Sequence, residues 1–125
     1  MGYNDFSEMP VWKKSFDILI DTYKITKTYP PEEKFGLVSD MRRSANSIAH
    51  NIAEGFGRFY PKEKNQFYRI SRGSAYELIS QYLVSIGLKY VVEEKTNHFI
   101  EQLKIIIEEL DALMKTLSSM PKLRT

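Results

Sequence analysis

Arg42-Arg43-Ser44-Ala45-Asn46-Ser47-Ile48-Ala49-His50-Asn51-Ile52-Ala53-Glu54-Gly55-Phe56-Gly57-Arg58 is the stretch on which the reading of this chain turns. Advanced at about 100° per residue from Leu37, the residues Leu37, Met41, Ala45, Ile48, Ala49, Ile52 and Ala53 fill one apolar arc. Arg43, Asn46, Ser47, His50 and Glu54 lie opposite, with Arg42 at the boundary. Ser44, Ala45, Ser47, Ala49 and Ala53 are small enough to let a neighbouring helix come close. Gly55 and Gly57 supply the conformational freedom to stop the helix and turn, with Asn51 and Glu54 as hydrogen-bonding groups that hold this end. The segment reads as an amphipathic helix with a basic pair near one end and a glycine-flanked arginine at the other.

The same periodicity extends in both directions. The spacing predicts helices over about 8–28, 31–54, 61–87 and 93–118. Trp12, Phe16, Leu19, Ile20 and Tyr23 share one face of the first. Tyr29-Pro30-Pro31 ends it, because a residue before proline avoids helical geometry. Pro31 then suits a first helical turn, with Glu32 and Glu33 near the positive end of the next helix dipole. On the third helix Phe67, Ser71, Ser74, Leu78 and Tyr82 form a seam, with Ala75, Ile79, Leu83 and Ile86 beside it. On the fourth, Phe99, Leu103, Ile106, Leu110, Leu113 and Leu117 alternate by four and three. Four long amphipathic helices with short connections imply an all-α, antiparallel up-down-up-down four-helix bundle.

At 125 residues the chain fits a single domain, 1–125. It has no cysteine, which removes disulfides, thiolate metal sites and a cysteine nucleophile and agrees with a reducing compartment. The first dozen residues lack the apolar core of a signal peptide, and no run approaches a membrane span, so a cytoplasmic protein without membrane contact is expected. Net charge is +2 but unevenly placed. Between Met41 and Arg72 the basic residues Arg42, Arg43, Arg58, Lys62, Lys64, Arg69 and Arg72 face only Glu54 and Glu63, and the rest of the chain is acidic on balance.

Two surfaces follow from these patterns. Val11, Ile18, Ile25 and Tyr29 form a second apolar stripe pointing away from the Trp12 seam, and Ile70, Val84 and Ile105 are similarly displaced. These residues, Val11, Ile18, Ile25, Tyr29, Ile70 and Val84 above all, are candidates for an oligomer interface. On the third helix Lys62, Asn65, Arg69, Arg72 and Tyr76 project within one sector away from Phe67. Arg42, Arg43 and Arg58 extend that sector if the second and third helices lie side by side. The candidate nucleic-acid-binding set is therefore Arg42, Arg43, Arg58, Lys62, Arg69, Arg72 and Tyr76, attracting phosphates with little sequence preference. The same arginines could instead be paired with Glu54, Glu77 or a neighbour's carboxylates.

Catalysis has little support. His50 and His98 lack the Glu-x-x-His spacing of bundle di-iron sites, and His50 with Glu54 offers two ligands without a second pair. Gly55-Phe56-Gly57 follows no strand and precedes no Gly-Lys-Ser/Thr, so it is not a phosphate loop. No serine, histidine and carboxylate arrangement can be assigned. No catalytic residue, metal ligand or cofactor is expected, and the chain reads as a non-enzyme.

Read together, Val11-Trp12-Lys13-Lys14, Tyr29-Pro30-x-Glu32-Glu33-x-Phe35-Gly36-Leu37, the Arg42 to Arg58 stretch and Arg72-Gly73-Ser74-x-x-Glu77-Leu78 resemble the bacterial four-helix-bundle family of proteins encoded in 23S rRNA intervening sequences. That family is similar to the accessory variability proteins of diversity-generating retroelements, which form pentameric barrels and bind nucleic acid and a reverse transcriptase. The resemblance implies a ring-like homopentamer that associates with RNA, DNA or ribonucleoprotein, with a protein such as a reverse transcriptase as a possible partner. A scaffold or protein-interaction module without direct nucleic-acid binding is the alternative. Asp40 stands where the family commonly has glutamine and lowers the positive charge beside Arg42 and Arg43; Ser44 replaces the usual alanine. Phe59-Tyr60 replaces polar or small residues, and these rings could stack on bases or pack against a neighbouring subunit.

Overall fold

The computed structural model describes residues 2–121. Four α-helices account for most of them: α1 (Pro10–Thr26), α2 (Leu37–Phe56), α3 (Pro61–Gly87) and α4 (Glu93–Ser118), with short 3₁₀ turns at Phe6–Glu8 and Pro31–Glu33. No strand occurs among the described residues. Pro10 and Pro61 open α1 and α3 at the position where a missing N–H costs nothing. α1 packs against α2 and α4, and α3 against the same two, so α1 and α3 occupy diagonal corners. α2 and α3 run antiparallel, since Ser47 meets Ser74 and Met41 meets Ser85. Across the core the hydroxyls of Thr22 and Tyr82 lie 2.6 Å apart, both fully buried.

The core contains Met41, Ala45, Ile48 and Ile52 from α2 and Leu103, Ile106 and Leu110 from α4, as their periodicity predicts. α1 reverses the expectation. Val11, Ile18 and Tyr29 are buried, Ile25 is half-buried, and Ser15, Thr22 and Thr26 complete the inward seam. Phe16, Ile20 and Tyr23 are exposed by 43%, 38% and 37%. The wheel ranks bulk and apolarity, whereas this seam selects narrow side chains that let Tyr82 reach Thr22. Its hydroxyls are inexpensive to bury because Ser15 and Thr26 donate to the carbonyls of Val11 and Thr22, at 2.8 and 2.7 Å. Val11, Ile18 and Tyr29 are therefore core residues, not outward-facing anchors. On α3 the buried seam is Tyr68, Ser71, Ala75, Leu78, Tyr82 and Ser85, which leaves Phe67 half-buried and Leu83 exposed. Ile70, Val84 and Ile105 face outward.

α2 begins at Leu37, not at Pro31. Pro30 to Gly36 closes instead as a tight turn, with Glu33, Lys34 and Gly36 donating to the carbonyls of Pro30, Pro31 and Glu33. Gly36 offers no side chain to cap α2, and Glu33 supplies one from outside: its Oε1 accepts from Leu37 N–H at 3.1 Å, while Oε2 accepts from Tyr90 Oη at 2.8 Å. The Leu37 and Tyr90 hydrogen bonds hold the Glu33 carboxyl below the ordinary glutamate range. A carboxylate with a depressed folded pKa stabilises the fold above its unfolded value, and that contribution disappears as pH falls through the folded value. Acidification below the ordinary glutamate range is expected to destabilise the wild type more than Glu33→Gln; urea midpoints of the two proteins at neutral and acidic pH measure the difference, and parallel curves would exclude Glu33 as a titrating cap.

At the other end of α2 the glycines act differently from the expectation. Gly55 is helical and buried, and an added Cβ would stand 2.6 Å from Cε1 of Tyr68. Gly57 caps the helix with φ −75°, a conformation open to any residue. Gly55 is thus required for close approach, not for turning.

Candidate interaction surfaces

The seven nucleic-acid candidates do not form one free stripe. Arg42 turns toward α1: its Nε donates to Thr26 Oγ1 at 3.0 Å, an Nη to the Tyr23 carbonyl at 3.3 Å, and the guanidinium lies 4.6 Å from the Tyr23 ring centre. It satisfies the carbonyl end of α1, where a cation is favoured. Arg43 pairs with Glu77 at 3.2 Å and approaches Asp40 at 3.9 Å. Arg58 pairs with Glu54 at 2.8 Å and lies 4.6 Å over Phe67. Arg72 bonds Asp111 on α4 at 2.5 Å, which raises its pKa, and sits beside the half-exposed Tyr76 ring. Asn65 is buried, donating to the Met114 carbonyl and Ser118 Oγ. Lys62 and Arg69 are exposed on α3, about 10 Å apart by helical rise, with no carboxylate in ion-pair range among the described residues.

Lys64 has a role the sequence reading missed. Its Nζ donates to the carbonyl of Phe56 at 2.8 Å and more distantly to that of Gly55, closing the C-terminal end of α2. Burial lowers its pKa. The available signal was a lysine just inside a helix that follows another helix across a short turn, within reach of its last carbonyls.

The α2–α3 end therefore presents Arg58, Phe59 and Lys62. Phe59 is 75% exposed and held edge to face against Tyr60, with ring centres 4.8 Å apart. Beside this turn an open concavity of about 500 Å³ is lined by His50, Ala53, Glu54, Gly57 and Arg58. Among the described residues no group of three or more His, Cys, Asp or Glu could hold a metal. A second hollow, about 300 Å³, lies between α1 and α4 and is lined by Phe16, Ile20, Asp17, Asp21, Lys24, His98 and Gln102, with part of Ile18. α3 carries no charged residue from Leu78 to Leu88, and its outer side exposes Leu83, Val84 and Leu88. No helix among the described residues is long and apolar enough to cross a membrane.

These features define an all-α protein of four long helices whose distinguishing chemistry lies on its outer surfaces. The chain belongs to the 23S rRNA-intervening sequence protein family, whose sequence pattern matches residues 7–112. A crystal structure of a protein of unknown function from the S23 ribosomal protein family of Bacteroides thetaiotaomicron VPI-5482 is similar in fold: its TM-score is 0.78 at 22% identity, over 84% of this chain and 95% of that one. No curated protein matches the chain.

Proposed function

We propose that this protein is a non-catalytic, antiparallel up-down-up-down four-helix bundle that assembles into a ring-like homo-oligomer, the pentamer implied by its family resemblance, and associates through that assembly with RNA or ribonucleoprotein. The observation that carries the reading is the division of the outer side of α3. Its first turn continues a cationic and aromatic end, Arg58, Phe59 and Lys62, and its second half is charge-free with exposed apolar side chains. The first half suits phosphates and unpaired bases; the second suits burial against protein. Membership in a family named for an insert in 23S rRNA supports RNA as the nucleic acid.

The ion pairs found on Arg43, Arg58 and Arg72 do not remove these groups from use. Each pair is well exposed at both partners, and such pairs are worth only about 0–1 kcal/mol, so a phosphate can displace the carboxylate. Arg42 differs, since its donors satisfy backbone and hydroxyl groups of α1 and its loss would loosen α1 from α2. A ring repeats the cationic end on every subunit, so weak contacts add by multivalency.

The test is binding of a fluorescent RNA oligonucleotide across a salt series. Affinity is expected to fall steeply with salt. Arg58→Glu with Lys62→Glu is expected to weaken binding and to flatten the log–log salt slope by about one for each phosphate that the variant no longer neutralises, while helical content stays unchanged. An intact oligomer that shows no salt-sensitive binding would leave the scaffold role in its place.

A further inference from the structure

The monomer leaves two apolar strips uncovered, and they occupy diagonal corners. One is on α1, where Phe16 and Ile20 are exposed outside the core seam, flanked by the half-buried Trp12 and by Tyr23, whose inner edge is held by Arg42 and Asn46. The other is on α3, running through Gly73, Tyr76, Ser80, Leu83 and Val84, all exposed. Since α1 and α3 do not touch along their backbones, the strips look outward on different sides of the molecule and cannot cover one another within a chain.

Their heights coincide. Thr22 of α1 meets Tyr82 of α3 across the core. Lys14 and Arg72 reach Glu109 and Asp111, less than one turn apart on α4. Both relations set a given α1 residue level with the α3 residue about sixty positions later. Phe16 is then level with Tyr76, Ile20 with Ser80, and Tyr23 with Leu83 and Val84. The strips also have the same length, since Trp12 to Tyr23 and Gly73 to Val84 each span about 16.5 Å at 1.5 Å per residue. α1 and α3 point the same way, so a neighbour placed by rotation about an axis parallel to the helices meets these strips in parallel and without stagger.

Side-chain size fits as well where Ile20 comes level with Ser80. The α1 strip is built from bulky side chains, whereas Gly73 and Ser80 place small residues on the outer side of α3, and an added Cβ at Gly73 would meet nothing within 4 Å. Glycine inside a helix costs about 1 kcal/mol relative to alanine, and no contact within the monomer requires it here.

We infer that the outer face of α3 is the docking site for the α1 strip of a second copy of this chain, in a head-to-tail contact that repeats around the assembly. This rests on the self-assembly proposed above and names the surfaces that make it. A head-to-tail contact joins two different patches, the kind of interface that closes into rings.

The absence of cysteine allows a clean test. Ile20→Cys and Ser80→Cys chains, each made alone and also co-expressed, are treated with a short bis-maleimide, and the products are read by mass against a chain of 14.6 kDa. Crosslinked dimer is expected in the co-expressed sample and nearly absent from either variant alone. Phe16→Cys with Tyr76→Cys repeats the test one turn lower. Efficient crosslinking of one variant with itself would replace the head-to-tail contact by a two-fold one. Wild-type protein that is monomeric in light scattering would overturn the assembly reading altogether, whereas a wild-type oligomer without mixed crosslinks at either level would overturn only this pairing.

Discussion

Replacing Ile18 by glutamate is expected to abolish the helical circular-dichroism signal at ordinary temperature, not merely to dissociate subunits. Ile18 is 2% exposed and belongs to the main core cluster. A carboxylate there either remains charged without a partner or takes up a proton and still buries polar atoms, at a cost of several kcal/mol. Domains of this kind have only about 5–15 kcal/mol of stability in total. Ile18→Val removes one methylene and is expected to cost about 0.5–1.5 kcal/mol with a cooperative melt retained. Ile20→Glu supplies the contrast two residues away: its side chain points outward, so helical content should survive and, for the assembly proposed above, the mass measured by light scattering should fall. A folded Ile18→Glu protein of reduced mass would show that the inward and outward faces of α1 have been assigned the wrong way round.

That contrast marks where sequence patterning was informative and where it was not. The α2 arc and the α4 seam were legible because each has one apolar stripe and a polar remainder; Met41, Ala45, Ile48 and Ile52 could face only one way. α1 has two stripes, and periodicity cannot rank them. The deciding factor is tertiary: Tyr82 occupies the centre of the core and requires Thr22, not Phe16 or Tyr23, on the facing side. On α3 the expected seam shares Ser71, Leu78 and Tyr82 with the buried one, but it starts at Phe67 where Tyr68 is buried, takes Ser74 for Ala75, and omits Ser85, which apolar weighting passes over. Among the candidate site residues the basic excess was visible, but its partners were not. Glu77 lies 34 residues from Arg43, and Asp111 lies 39 from Arg72. Charge counting along the chain cannot see pairs made across helices. The lone cations Lys62 and Arg69 differ from their paired neighbours only in what the fold places opposite them.

Gly55→Ala is expected to destabilise the protein although alanine is the better helix former. Alone, the exchange in a helix interior favours alanine by about 0.8–1 kcal/mol, and Gly55 has no positive φ that would forbid a side chain. The opposing term is steric. The new methyl would stand 2.6 Å from Tyr68 Cε1 and 3.0 Å from Cδ1, and Tyr68 is itself only 2% exposed, so its ring cannot swing into solvent without opening the contact between α2 and α3. Overpacking of this kind typically costs about 1–3 kcal/mol, enough to reverse the sign and lower the melting temperature by several degrees. Gly87→Ala, where an added Cβ meets nothing within 4 Å, is expected to be neutral or stabilising. Tyr68→Leu shortens the obstructing side chain, so the Gly55→Ala and Tyr68→Leu double variant should be more stable than the sum of the single effects, a coupling read directly from a double-mutant cycle. Additive effects would mean that Tyr68 does not press on Gly55. The same contact sets how closely α2 approaches α3 before Lys64 closes the end of α2, and so fixes the base from which Arg58, Phe59 and Lys62 project. On the proposed RNA-binding function, Gly55→Ala is consequently expected to weaken binding at temperatures where the protein is still folded, although it alters none of Arg58, Phe59 and Lys62.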